Sequence, residues 1–352
     1  MISRRQYALL LINEVEQGMV IGEDIYNNFD VMVVASGSVI NESIMDLLDR
    51  MNVFDVAIYE KSIEGEKKVL KVDNTVQATY KDTVESFKML FNNVKFGKQI
   101  VADEITDILA PMLDQVNTNQ ILAKSLWQIE ACDEYTYDHS VTVSMSAALL
   151  GKWMNLPQET INDLATAGLL HDIGKCNIPD EILKKPDRLT EEEFKVMKTH
   201  STLGYLLLKN GDGFTDEILA GVYQHHEKFD GNGYPNRLSE KEIHQFGRII
   251  AVADVYSAMT SNRVYRNKMS PFQVAKLILE FSFGYLDPIA VNIFLSNISN
   301  FYVGTTVKLN NGTIGEVVMV NKAEPYRPLI KIDDSFVDLA KDHSLEITAL
   351  ID

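Results

Sequence analysis

Two cysteines in 352 residues are too few for a disulfide framework. Cys132 and Cys176 therefore read as reduced thiols. No run of about 18 apolar residues occurs anywhere, so no membrane span is expected. The apolar stretch Ala8–Ile12 is too short for the core of a secretory leader, and Asn13-Glu14 breaks it. Positive charge is also scarce: 33 Lys and Arg face 50 Asp and Glu, a formal charge of −17. That balance argues against binding a nucleic acid polymer or an anionic membrane, both of which need basic surface. A small phosphate ligand is not excluded, because a local metal and a few cations dominate at short range. These absences together point to the cytoplasm.

The hydrophobic fraction, 46%, is that of a globular chain, and the length allows two or three domains. Residues 1–75 read as a small α/β domain. Val31–Val34 is strand-like and ends in the turn signal Ser36-Gly37-Ser38. Asn41 is placed to cap a helix carrying Ile44, Leu47, Leu48 and Met51, and Val53–Tyr59 reads as another strand. No catalytic or phosphoacceptor motif occurs there. A regulatory or adaptor role follows, with a homodimer or a signalling protein as the expected partner. Residues 76–300 are helical in pattern, with stripes such as Phe87, Leu90, Phe91, Val94 and Ile105, Ile108, Leu109, Met112. Pro111 is expected to kink or interrupt its helix. Residues 301–352 turn β-like, with a hairpin signal at Asn310-Asn311-Gly312. The expected architecture is multidomain: an all-α catalytic domain between a small α/β amino-terminal domain and a small β carboxy-terminal module.

Histidine is rare too, seven in all, yet five of them (His139, His171, His200, His225, His226) fall between residues 139 and 226. His139 shares a helix face with Val143, Ala147 and Leu150. His171-Asp172 follows the apolar run Ala165–Leu170, and a buried aspartate there is costly unless it is hydrogen-bonded or metal-bound. A His–Asp hydrogen bond, or a C-terminal cap with Gly174 ending the helix, is the structural alternative. Lys175 suits a phosphate oxygen or the end of a helix. Thr190 and Glu193 form a capping-box pattern ahead of His200. His225-His226 close another apolar helix and point about 100° apart, which suits two metals, or one metal and a substrate. Asp254 ends the apolar run Ile249–Ala253. Five His and two Asp at the edges of apolar helices suit a divalent metal centre.

These motifs resemble the HD-GYP family, a branch of the HD metal-dependent phosphohydrolases. The likeness spans about Asp133–Arg266. It rests on Asp133-Glu134-Tyr135-Thr136 with His139-Ser140, and on His171–Lys175 with Ile178-Pro179. It continues through His200, His225-His226-Glu227, the loop Asp230–Pro235 and the stretch Arg248–Arg266. The resemblance implies an all-helical domain hydrolysing cyclic di-GMP to linear pGpG and GMP, with hydroxide bridging the metals as nucleophile. Two or three divalent ions are implied, iron with manganese as the alternative. By position His171, Asp172, His200, His225, His226 and Asp254 would ligate two of them, with Asp172 bridging. His139 matches an additional ligand position, and Glu134 one that accompanies a third metal, with Asp133 and Asp138 as alternatives. Lys175 would stabilise developing charge, while Tyr234, Arg263 and Arg266 would meet the ligand. One position departs: Ser257 stands where the family often has a second acidic residue. A catalytically weak cyclic di-GMP receptor, or a phosphodiesterase for another cyclic dinucleotide, are the competing readings.

Overall fold

All ten residues from Val141 to Leu150 are buried, so the helix that carries them has no solvent face and must lie inside other helices. The structure, a computed structural model, describes residues 74–118, 135–260 and 270–351 apart from 322 and 334, together with short segments between residues 7 and 59. It divides into two compact units, Met1–Lys71 and Val72–Asp352.

In the first unit β1 (Tyr7–Leu11) pairs antiparallel with β4 (Asp55–Tyr59), and β2 (Ile25–Tyr26) with β3 (Met32–Val34). Ile12, Ile21, Val34, Ile40, Leu48, Val56 and Ile58 form its core. The expected strands are present, and Ile44, Met45 and Leu48 are helical. The rest of the helix expected after Asn41 lies outside the described residues.

The second unit begins with α1 (Asn74–Lys95) and α2 (Ala102–Thr118). Of the two outcomes expected at Pro111, interruption does not occur: α2 runs on through it. Next comes the buried helix α3 (Tyr135–Trp153), then α4 (Gln158–Leu170). These two meet closely because Gly168 leaves room; a Cβ there would fall 2.9 Å from Ser144 Cα. Ser144 Oγ donates to the Ala165 carbonyl at 2.7 Å, so the polar hydroxyl is satisfied inside the packing. At its start α3 is tied to α1, where the Tyr80 hydroxyl meets Asp138 Oδ1 (2.9 Å) and Thr142 Oγ1 (2.8 Å).

After α4 a 3-10 segment (Ile173–Asn177) leads to α5 (Asp180–Leu183), α6 (Glu191–Lys198) and α7 (His200–Lys209). The capping box on α6 is formed, with Thr190 N–H donating to Glu193 Oε2 at 2.7 Å and Glu193 N–H to Thr190 Oγ1 at 3.3 Å. Then follow α8 (Asp216–Gln224), α9 (Gln245–Thr260), α10 (Pro271–Ser282) and α11 (Pro288–Ile298). Arg248 on α9 reaches Asp287 at 2.7 Å, and Asp287 in turn caps α11 by accepting from Ile289 N–H at 2.8 Å.

The tail is one antiparallel sheet of five strands in the order β8-β7-β6-β5-β9. These are β5 (Thr306–Leu309), β6 (Ile314–Met319), β7 (Leu329–Ile332), β8 (Ser335–Asp338) and β9 (Ile347–Leu350). Gly312 holds the β5–β6 turn at φ +86°, a conformation open to glycine. Alternation along β5 buries Val307 and Leu309 and exposes Lys308, as a one-sided sheet requires. The buried side chains of the sheet join the same core cluster as the helices, and sequence reading did not anticipate that merger.

Candidate metal centre

Helix ends supply most of the centre. His171 caps the carboxyl end of α4, and Asp172 begins the 3-10 segment. His200 opens α7, and His225 with His226 follow α8. His139 projects from the first turns of α3, and Asp254 from the middle of α9. The seven form two groups whose donor atoms lie within 4.8 Å of one another: Asp172, His200, His225, His226, and separately His139, His171, Asp254. Asp172 spans them, with Oδ1 3.3 Å from His200 Nε2 and Oδ2 3.3 Å from His171 Nε2.

Three of the imidazoles share one local device. Nδ1 of His171, His200 and His225 lies 2.8, 2.7 and 2.7 Å from the carbonyls of Gly168, Met197 and Val222. Each carbonyl is three residues earlier and can only accept, so Nδ1 carries the proton and Nε2 presents a lone pair. His200 Nε2 and His225 Nε2 then stand 3.3 Å apart. Two lone pairs facing each other at that distance repel unless a cation lies beside both. Asp172 Oδ1 is buried without a hydrogen-bond partner, which burial alone makes unfavourable. These two features fit a divalent metal, and the mixture of imidazole and carboxylate suits iron, manganese or zinc.

The protonation pattern agrees at His200, His225 and His226 and at both carboxylates, with His171 as the exception. Burial holds His225 well below the usual imidazole value and His226 down at about 3. Burial also lowers His200. At His171 burial pulls down, but the neighbouring negative charge of Asp172 leaves the value raised. Burial would lift Asp172, yet Lys175 and His171 hold it well below the carboxylate range. Asp254 is likewise lowered, its burial outweighed by His139 and the neighbouring imidazoles. Neutral imidazoles with ionised carboxylates are the states in which these groups bind metal.

His139 is held from both sides: Nε2 lies 3.0 Å from Asp254 Oδ1 and Nδ1 2.9 Å from Ser257 Oγ. Ser257, the departure noted in the sequence, thus orients an imidazole of the centre. Asp138 engages Tyr80 and is in neither donor group. Lys175 forms a short contact to Asp172 Oδ2. Gly174 does not act as a left-handed helix cap. A Cβ at Gly174 would fall 2.0 Å from the His200 carbonyl oxygen and 2.4 Å from Gly204 N, so the glycine lets the Asp172 segment press against α7.

The loop after His226 closes over the centre. Tyr234 stacks beside His226, with ring centroids 4.7 Å apart and planes at 31°, and meets His200 edge-on at 6.4 Å. Gly231 adopts φ +78°, whereas Gly233 is needed for close approach: a Cβ would lie 2.3 Å from Lys228 N. Glu227 anchors this loop. It is 3% exposed, and its two carboxylate oxygens accept from Asn236 N–H (2.6 Å) and Leu238 N–H (3.0 Å). Sequence reading quoted Glu227 without giving it a role. The available signal was a lone carboxylate just ahead of a glycine-rich loop whose backbone N–H groups need acceptors. Glu134, Arg263 and Arg266 lie outside the described residues.

Residues 117–288 match the family described as HD domain, and residues 306–352 the KOW domain associated with HD domain. A cyclic di-GMP phosphodiesterase of Pseudomonas aeruginosa is 31% identical over 243 residues, covering 69% of this chain and 58% of that protein. A 3'3'-cGAMP-specific phosphodiesterase of Vibrio cholerae is 36% identical over 175 residues, 49% of this chain and 40% of the relative. The chain therefore spans about half the length of these curated relatives. Among solved structures, an HDG"Y"P protein from Bdellovibrio bacteriovorus aligns with a TM-score of 0.53 at 17% identity, over 82% of this chain and 98% of that one. At that identity the likeness is one of fold. Among the described residues no helix is long and apolar enough to cross a membrane.

Proposed function

Because the chain carries a domain of the HD-GYP family, we propose that it is a metal-dependent phosphodiesterase that hydrolyses cyclic di-GMP to linear pGpG and then GMP. The observation that carries this reading is the pair of donor groups joined through Asp172, whose Oδ1 is buried without a partner. His171, Asp172, His200, His225, His226, Asp254 and His139 would hold two divalent ions, iron or manganese. When bound, such ions supply Lewis acidity and bring the pKa of water toward neutrality.

The remaining chemistry belongs to the chain. Asp172 serves both donor groups and fixes their separation. Lys175, beside Asp172 and one quarter exposed at its side chain, presents an ammonium to a phosphate oxygen as charge develops there. The Nδ1–H bonds of His171, His200 and His225 keep these rings from swinging. Tyr234, partly buried, offers a ring face to a guanine base, and burial raises its hydroxyl pKa so that it stays protonated. Glu227 keeps that ring in place through the loop backbone. Hydrolysis adds water across one P–O bond, leaving a phosphate on one sugar and a hydroxyl on the other.

The test is a product assay on anaerobically purified, metal-loaded protein with metal analysis alongside. Cyclic di-GMP should give pGpG and then GMP, and His171→Ala or Asp172→Ala should lose both metal and turnover. Undiminished turnover in both variants would overturn the site. Tight binding without product, with iron or manganese supplied, would instead make the protein a receptor. A second substrate, 3'3'-cGAMP, is included because a relative is named for it; a higher kcat/KM for that ligand would move the specificity and leave the reaction class intact.

A further inference from the structure

We propose that Lys198 is a substrate-binding residue that receives the phosphate group not being cut, an inference that rests on the cyclic dinucleotide reading above. Lys198 is the last residue of α6, two positions before His200, so the start of α7 fixes its place beside the metal centre. Its ammonium lies over two rings, 4.7 Å from the centroid of Phe194 and 5.4 Å from that of Tyr234. Tyr234 itself stacks on His226. The cation therefore stands one ring away from the centre.

Three observations turn this contact into a binding site. Among the described residues Lys198 forms no ion pair, whereas its neighbour Lys195 is paired with Glu192 at 2.7 Å and Lys185 with Glu193. Lys175, the other ammonium of the centre, is already against Asp172. Phe194 leaves 46% of its surface exposed on the same helix, an aromatic face unused by the core. Lys198 is partly buried as a residue, and water is excluded where the rings cover its ammonium, which strengthens its attraction for an anion. The chain as a whole carries −17, so a dianionic ligand needs local positive charge to approach. A cyclic dinucleotide has two phosphodiesters. While one lies at the metals with Lys175, the other reaches Lys198, which stands between the rings of Phe194 and Tyr234.

The helix α6 that carries Lys198 is capped. Its amino end is fixed by the reciprocal Thr190–Glu193 bonds and by Lys185 on Glu193. Lys198 binds the ground state and the transition state alike, so its loss should appear in KM and spare kcat.

The experiment compares Lys198→Gln, Lys198→Arg and the control Lys195→Gln in metal-loaded protein, with cyclic di-GMP as substrate. Lys198→Gln should raise KM about tenfold, the size of a lost charge-assisted contact, with kcat and metal content held. Lys198→Arg should restore most of the affinity, and Lys195→Gln, which removes the same charge from the same helix, should match wild type. A KM unchanged in Lys198→Gln, or raised equally by Lys195→Gln, overturns the inference and leaves the proposed function standing. Wild-type protein that leaves both cyclic di-GMP and 3'3'-cGAMP intact and unbound overturns that function, and the inference with it.

Discussion

Replacing Gly174 by alanine should strain the centre at its narrowest point. The added methyl would lie 2.0 Å from the His200 carbonyl oxygen, 2.4 Å from Gly204 N and 2.9 Å from His200 C. All three are backbone atoms, so no rotamer change relieves the clash. The 3-10 segment must withdraw from α7, which carries Asp172 and Lys175 away from His200. Overpacking usually costs about 1–3 kcal/mol, and a clash against rigid backbone belongs at or above the top of that range. At about 2–4 °C per kcal/mol for a unit of this size, the metal-free protein should melt roughly 6–12 °C lower. Calorimetry in the presence of a chelator measures that shift, and metal analysis after reloading should show reduced occupancy. Gly151→Ala is the matched control. Its Cβ would meet the side-chain tip Leu164 Cδ2 at 3.1 Å, which can give, and the gain in helix propensity of about 1 kcal/mol offsets the contact. If Gly174→Ala melts and binds metal like Gly151→Ala, close approach at Gly174 does not build this site.

Ser257→Ala should keep the fold and weaken metal binding at the His139, His171, Asp254 group by roughly 10–100-fold, because His139 Nδ1 loses its partner; equal metal affinity in the two proteins would remove Ser257 from the centre. Glu227→Gln replaces one acceptor by an NH₂ facing a backbone N–H, a buried mismatch of about 1–3 kcal/mol. Faster tryptic cleavage at Lys228 or Arg237 should report the loosened loop, and an unchanged digestion rate would contradict the anchor. Burial pushes the Cys176 thiol from 9.0 up to about 11. A raised acid favours the folded state while the thiol is neutral, so this stabilising contribution is complete below pH 9.0 and is lost as pH rises through about 11. Iodoacetamide at pH 8 should therefore label Cys176 only after denaturation, and rapid labelling of native protein would refute its burial.

The metal-type residues were legible because charge at the edge of an apolar helix is anomalous: His171-Asp172 after Ala165–Leu170 and Asp254 after Ile249–Ala253 stand out by position alone. Their division into two groups was not legible, since it depends on where α3, α7 and α9 cross. Gly174 could be read as a helix terminator from its place after His171-Asp172, and only the approach of α7 shows its other purpose. Lys198 was hidden for a similar reason. Its charge is one of several on α6, and nothing local distinguishes it from Lys195 until Tyr234 folds back over it. The β character of the tail was visible from the Asn310-Asn311-Gly312 turn, whereas the strand order β8-β7-β6-β5-β9 depends on pairing between distant segments.

The shared interior of helices and sheet has a consequence for how the chain can be taken apart. Tyr302 packs on Phe272 at 5.7 Å, Lys276 reaches Glu346 at 3.0 Å, and Val307, Leu309, Val317, Ile330, Leu339 and Ile347 are buried in the common cluster. At about 1.5–3 kcal/mol for each buried aliphatic side chain, their removal approaches the whole stability of a typical domain. Truncation near residue 300 would therefore leave a wounded interior and no minimal folded unit. The tail behaves as a keystone: a segment on which the persistence of the helices that carry the centre depends.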